Sequence, residues 1–492
     1  VYKRQSRHRF RHALFQSYLH ERIEPAERMR LHEATGRALE ELYQDQADPP
    51  VVDLAHHFDS AGLAAPAIDY LQKAGERAIA MSANDEALRL LQRALELLPD
   101  LPSSPERDNT ELALLVGLAA SVMAVRGYAA PEAQQIGVRV RQLCDEVEPS
   151  PMVVMALVGL AQVLSIRAQH GAAAEASREA LGVADSLGND AFRVLASFEF
   201  GYCLFWQGKL EEAQRYLDEA CRIYEPLAHG WLAGAFGIDP GAEALIWAAA
   251  CQLLSGDADK SAALGAEAVA VARRLEHPFT LCHVLAVQAV DKLTIGEYEQ
   301  ALVLARELEA VATSEHFPYW EAGADVYGGW ARGLLGEPEE GAHLMGRGLD
   351  AWRGLGAQCH LGFFSCPLAE LEVMSGRPER GLEVIAGALS EIEATDEGLS
   401  KTYLGAERGR LLRIVEDPTA EAVLRKAVAD ADKMGARVAE LQARTELARL
   451  LAATDRTAEG IGILDTAIFS FADGIAAPTL VAAQEVLDRL RA

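Results

Sequence analysis

A phosphate-binding loop needs the pattern GxxxxGK[ST], because its backbone amides cradle the phosphates and its hydroxyl holds magnesium. The Gly208-Lys209 pair is followed by Leu210 and has Cys203 where the first glycine belongs, so it reads as a turn and no nucleotide cofactor is expected. Cys359, His360 and Cys366 come nearest to a metal-ligand cluster. Their spacing matches no zinc pattern, and Leu361, Phe363 and Phe364 around them read as helix core, so no metal is expected either. His56 and His57 are adjacent; on a helix they diverge by about 100° and cannot share a metal face, so at most one is buried. No Ser/His/Asp or Cys/His set has local support, and the many carboxylates fall in helical stretches where charge reads as a solvated face. No catalytic residue is therefore assigned. The aromatic group Phe317, Tyr319 and Trp320, built around Pro318, could line a peptide groove, against the alternative that it packs between helices.

The elements that would carry such a groove repeat. Helix-breaking residues recur at Gly171, Gly208, Gly256, Gly296, Gly336, Gly376, Asp417 and Asp455, spaced 37, 48, 40, 40, 40, 41 and 38 apart. A period near 40 is that of a helix-turn-helix repeat. Five residues after each break stand Ala176, Ala213, Ser261, Ala301, Gly341, Gly381, Ala422 and Gly460, all small. Twelve residues after each break stand Val183, Ala220, Ala268, Leu308, Gly348, Ala388, Ala429 and Ala467, six of the eight small. Small residues seven apart share a helix face and let an antiparallel partner approach closely. The pattern resembles the tetratricopeptide repeat, whose unit is about 34 residues with a proline closing the second helix. Pro278 and Pro318 each follow their glycines by 22 residues, which predicts a longer second helix. The expected fold is all-α, a tetratricopeptide-like α-solenoid forming a right-handed superhelix. The longer spacing of 48 is assigned to a Gly/Pro-rich insert over 229–241, read as a loop projecting from one face.

Residues 1–46 hold 9 Lys/Arg against 7 Asp/Glu and read as the helical end of an upstream module. Val1 to Gln5 reads as translated adapter sequence, which makes the chain a segment of a longer protein. Pro49-Pro50 opens a set of linker helices over 49–108, namely Val51 to Ser60, Pro66 to Ser82 and Asn84 to Leu98, with Asn84 as an N-cap. Leu101-Pro102-Ser103-Ser104-Pro105 ends that set, the solenoid follows over 109–475, and the stripe Leu480, Ala483, Val486, Leu487 and Leu490 marks a capping helix over 476–492.

Composition agrees. Hydrophobic residues make up 50% of the 492 but aromatics only 7%, so the core is built from Ala, Leu and Val. A net charge of −27 opposes phosphate backbones and anionic headgroups, which excludes nucleic acid and membrane as partners of the bulk of the chain. Seven cysteines stand singly in apolar stretches, as reduced thiols of a cytoplasmic protein do. The apolar run Met152 to Ile166 is too short to cross a bilayer and reads as a packed helix.

Longer strings resemble the carboxy-terminal region of bacterial multidomain signalling ATPases, in which an adenylate/guanylate cyclase or other effector precedes an AAA/NB-ARC-like ATPase and then tetratricopeptide repeats. Arg9 to Phe15 and Arg28 to His32 resemble the helical end of the ATPase module, and Leu54 to Phe58 and Ala74 to Ala78 its linker helices. Gly127 to Glu132, Asp239 to Gly241, His277 to Phe279, Phe317 to Trp320 and Phe471 to Leu490 continue the match in order. The resemblance implies a non-catalytic arm that binds a protein or peptide partner and controls an upstream ATPase module in cis. Two alternatives stand beside it: the arm of a transcriptional regulator, and an unrecognised enzyme site formed by groove carboxylates and histidines.

Overall fold

The computed structural model describes residues 22–44, 46, 48–81, 83–126, 130–470 and 478–492; Val1 to Gln5, Arg9 to Phe15, residues 127–129 and residues 471–477 lie outside the described part. Every regular element among the described residues is helical. The chain forms two compact units, one running to Arg126 and taking in Glu132–Val147, the other holding Glu148–Ala492.

The first unit contains α1 (Pro25–Tyr43), α2 (Val51–Ser60), α3 (Ala64–Ala80), α4 (Asn84–Leu97), α5 (Pro105–Arg126) and α6 (Pro131–Glu146). The stripe predicted on α4 is real: Ala87, Leu88, Leu91 and Ala94 are buried, and Leu91 packs against Gly75 of α3. Asn84, however, is the first helical residue. Ala83 occupies the cap position and no side chain caps the helix there, so the N-cap expectation is corrected.

The second unit is a helical solenoid of the tetratricopeptide type. Its helices are α7 (Pro151–Ile166), α8 (His170–Leu187), α9 (Asp190–Trp206), α10 (Leu210–Ile223), two short pieces α11 (Pro226–His229) and α12 (Trp231–Phe236), and α13 (Pro240–Leu254). Then come α14 (Ala258–Arg274), α15 (Pro278–Thr294), α16 (Tyr298–Glu315), α17 (Pro318–Leu334), α18 (Pro338–Gly354) and α19 (Leu361–Met374). The array continues with α20 (Pro378–Glu391), α21 (Gly398–Ile414), α22 (Ala420–Met434), α23 (Arg437–Ala453), α24 (Thr457–Ser470) and α25 (Pro478–Arg491). Consecutive helices pack as antiparallel pairs, and α9, α13, α15, α17, α19, α21 and α23 form the inner layer.

The turns correct the predicted register at two places. Gly208, Gly256, Gly296, Gly336 and Gly376 hold positive φ, as a residue closing one helix and opening the next must. In the first repeat that place belongs to Ala168 (φ 56), whose neighbours make the same closing hydrogen bonds as those of Gly208, while Gly171 lies inside α8. Counted from Ala168, the small residues are Ala173 and Ala180, both fully buried. In the seventh repeat the turn residue is Glu416 (φ 58), not Asp417. Ala422 and Ala429 face solvent, and Ala420 and Ala427, four and eleven residues after Glu416, do the packing. The left-handed conformation costs a Cβ-bearing residue about 1–2 kcal/mol, so packing of the two flanking helices has to hold Ala168 and Glu416 in it.

The prolines also play another part than predicted. Pro278 and Pro318 open α15 and α17 at the first helical turn, where a missing N–H is no loss, instead of closing a helix. Both helices of the pair α14–α15 are 17 residues long, which accounts for the 40-residue unit. The insert is partly helical rather than a loop, because Leu232 of α12 is buried and anchors it, while Leu227 and Trp231 face outward.

Two helices approach closely at α17–α18, where a Cβ on Gly341 would stand 2.5 Å from the Gly329 carbonyl oxygen. The array curls back on itself, so that helices far apart in the chain touch: α9 packs on α21 and α13 on α23. At one such meeting a Cβ on Gly398 would lie 2.3 Å from the Gln207 carbonyl oxygen. The amides of Gln358 and Cys359 donate to the Ile166 carbonyl at 2.9 and 3.0 Å, a second fastening across the curl. The C-terminal helix α25 completes a local core through Ala483, Val486 and Leu487, as its stripe predicts.

Candidate functional site

Curling forms a cavity of about 410 Å³, partly open to solvent, between the inner helices, with Pro478 and Thr479 of α25 along one side. Its volume lies in the range that holds a compact organic ligand. Its lining divides by chemistry into an aromatic set and an ionic set of side chains, referred to as levels.

One level is aromatic. The Trp206 ring centroid lies 4.4 Å from that of His360, Trp247 sits edge-on to Tyr202 at 4.8 Å, and His283 faces Trp320 at 5.1 Å. Trp206, Trp247, Trp320 and Trp330 all line the cavity, and their buried indole N–H groups have no hydrogen-bond partner among the described residues. Each such donor costs about 1–3 kcal/mol.

The other level is ionic. Glutamates stand at the tenth residue of three successive inner helices: Glu370 of α19, Glu407 of α21 and Glu446 of α23. Arginines stand three residues further on in two of them, Arg410 and Arg449. Arg410 grips Glu407 with both nitrogens, at 2.8 and 2.5 Å, while Glu446 is held by Arg413 at 2.7 Å and by Arg449. Burial, reinforced by Glu407, pushes the Glu370 carboxyl above its usual range, with Arg410 opposing. Asp291 of α15 is more extreme. Burial drives its pKa well up with Lys292 opposing only in part, and its Oδ2 has no partner.

Behind the aromatic level, His283 Nδ1 lies 2.9 Å from Glu243 Oε2. Burial, then the charge of Glu243, raises the Glu199 carboxyl to about 8. A third buried carboxylate fastens the curl: Glu397 Oε1 accepts from the His360 backbone amide at 3.1 Å and lies 3.4 Å from His170 Nε2. His360 is also bound by the Tyr202 hydroxyl at 3.0 Å, and burial first, then His170 and His283, hold its pKa well down.

Of the residues singled out in the sequence, Tyr319 and Trp320 line the cavity. Phe317 does not; it packs edge-on against Phe279 at 5.4 Å, between repeats. The expectation that helix carboxylates form a solvated face is corrected by Glu199, Glu243, Asp291, Glu397, Glu440 and Glu446, which are buried because the array curls over them. Cys359 and His360 are buried just before α19, and among the described residues no group of three His, Cys, Asp or Glu side chains is placed to hold a metal. In the first unit His56 is exposed and His57 half-buried, with His32 Nδ1 at 2.9 Å from His57 Nδ1. No helix among the described residues is long and apolar enough to cross a membrane.

The ionic level had a sequence signal that periodicity alone passes over: Glu-x-x-Arg occurs at Glu407–Arg410 and again at Glu446–Arg449, one repeat on. Asp291 had none, being one acid among many. The chemistry of the cavity is that of holding: stacking faces, unpartnered donors and a graded set of acids. The Cys203 and Cys359 thiols beside it are pushed up by burial, which makes them poor nucleophiles.

No protein-family model matches the chain. An uncharacterized protein of Rhizobium meliloti (strain 1021) is 23% identical over 449 residues, covering 89% of this chain but 42% of that protein. The chain thus spans about two-fifths of the length of the curated relative it matches. Among solved structures, a Rap protein complexed with Competence and Sporulation Factor matches with a TM-score of 0.51 at 13% identity, over 80% of this chain and 99% of that one. The human IFIT1 dimer with m7Gppp-AAAA matches at 0.45 and 14%, over 94% and 95%. The likeness to the Rap protein is one of fold: this chain shares its helical-repeat architecture.

Proposed function

We propose that the second unit is the non-catalytic sensing arm of a bacterial signal-transduction ATPase, taking up a protein or peptide segment in its channel and so controlling an ATPase module in the same polypeptide. The observation that carries this reading is the cavity with an aromatic and an ionic level. A cavity that leaves four indole donors and one buried acid without partners is built for an occupant rather than for packing. The Rap protein of like fold, solved with Competence and Sporulation Factor, supports a peptide-class occupant, and the greater length of the Rhizobium relative leaves room for further modules. A switch from 1:99 to 99:1 between inactive and active states needs about 5.5 kcal/mol of differential affinity, which an occupant bridging both sides of the curl can supply.

Two measurements test it. Peptides of twelve residues selected from a display library on this chain are expected to lose at least tenfold in affinity when Ala482→Trp fills the cavity from α25, without loss of thermal stability. Nucleotide turnover of the intact longer protein is expected to respond to the same peptides, and to stop responding when residues 109–492 are removed. Equal turnover with and without that region, under every selected peptide, would overturn the regulatory reading.

A further inference from the structure

We infer that the group the channel captures is a cation, a protonated amine or a guanidinium, with Asp291 as its anionic partner and aromatic faces around it. This rests on the ligand-binding reading above and specifies its chemistry.

Asp291 lines the cavity, is only 4% exposed, and has an oxygen with no hydrogen-bond partner. A buried carboxylate without a partner is costly in any fold, and removing its charge by protonation is the resting solution. Lys292, beside it in the chain, and the arginines of the ionic level are engaged elsewhere. Lys292 pairs with Glu297 at 2.5 Å, Arg410 is gripped by Glu407, and Arg413 and Arg449 share Glu446. The ionic level therefore offers Asp291 and Glu370 as acceptors and no guanidinium free to receive an anion. An acidic ligand would find no free cation there inside a chain of net charge −27, whereas a cation finds in Asp291 an oxygen to pair with once that carboxyl is ionised.

The aromatic walls point the same way. Tyr298, Tyr327 and Trp330 line the cavity together with Asp291, and a cation over the face of such rings gains about 0.5–2 kcal/mol as water is excluded. A neutral ligand could accept from the indoles but would leave Asp291 without a counter-charge. A compact molecule with one cationic end and acceptor groups behind it meets both demands. Burial favours the protonated form of Asp291 and a seated cation favours the ionised one, so binding lowers the pKa of this carboxyl and is coupled to proton release.

The test uses the chain as it stands and four probes: the capped tripeptides acetyl-Gly-Lys-Gly-amide, acetyl-Gly-norleucine-Gly-amide and acetyl-Gly-Glu-Gly-amide, and n-butylamine. Calorimetry in two buffers of different ionisation enthalpy reads affinity and proton release together. The lysine peptide is expected to bind at least tenfold more tightly than the other two peptides, with a proton released. Asp291→Asn, which keeps the shape and removes the ability to ionise, is expected to abolish both the preference and the release while leaving the melting temperature nearly unchanged. Butylamine binding as tightly as the lysine peptide assigns the site to free amines; much weaker binding assigns it to basic side chains. Equal binding of the norleucine or glutamate peptide, or a lysine preference that survives Asp291→Asn, overturns the inference. If display-selected peptides bind but show no lysine or arginine requirement, the cation claim falls and the sensing reading stands. If neither probes nor display peptides bind, both fall.

Discussion

Replacing Glu397 by alanine asks whether the second unit is fastened across its own channel. The side chain is wholly buried, and its Oε1 serves the His360 amide at 3.1 Å and His170 at 3.4 Å, residues on opposite sides of the curl. Alanine leaves that amide without an acceptor where water cannot reach it, at a cost of about 1–3 kcal/mol. Stranding His170 adds to this, and breaking a buried pair by removing one partner costs about 3–5 kcal/mol in total. Glu397→Gln keeps the volume and an acceptor for the amide, so its cost should fall to about 1–2 kcal/mol. Urea unfolding followed by circular dichroism gives the size of the loss. Native-state hydrogen exchange gives its place: protection should fall in α7–α9 and α19–α21 and hold in α14–α17, which lie away from the seam. An alanine variant with the wild-type urea midpoint, or with protection lost evenly along the array, would refute the idea that Glu397 joins the two sides.

Three further outcomes follow from the structure. Gly341→Ala gains about 1 kcal/mol of helix propensity, but its Cβ would meet the Gly329 carbonyl oxygen at 2.5 Å, so overpacking of about 1–3 kcal/mol should win and thermal melting should fall. Gly346→Ala, on the same helix with nothing within 4 Å of the added carbon, should instead raise the melting temperature; a rise in both would deny the close crossing. Burial, then the charge of Glu243, pushes the Glu199 carboxyl up to about 8 from the ordinary 4.5, so the folded state binds the extra proton between those values. Stability from this group is complete at acid pH and declines as pH rises through that window, and Glu199→Gln should flatten the decline in urea midpoints measured from pH 5 to 9.

The fold was legible because close helix crossings write themselves as small residues. Ala213 and Ala220, Ser261 and Ala268, and Gly341 and Gly348 are buried where the spacing put them. The register slipped only where the turn residue carries a Cβ, at Ala168 and Glu416, because a left-handed backbone leaves no mark on sequence unless glycine supplies it. Half of the site was legible for a related reason. Tyr319 and Trp320 stood out as a local aromatic group, whereas Asp291 and Glu370, which line the cavity, and Glu397, which fastens the curl, find their places only because helices far apart in the chain converge. Helical periodicity tells which face of a helix is apolar. It does not tell whether the polar edge of that face will be covered when the array curls.

The Ile166 carbonyl, receiving two amides from residues 358 and 359, also bears on how the molecule forms. Ordinary helical arrays assemble from neighbour to neighbour and fold quickly because every contact is short in sequence. Here the helix ending at Ile166 must wait for nearly two hundred further residues before its last acceptor is satisfied. On a ribosome the early repeats would therefore stack first and stay open, and the ring would shut late, in a slow step distinct from helix stacking. Any ligand present at that moment has a wide mouth to enter by, which makes the order of closure and capture a property of the chain's birth as much as of its finished shape.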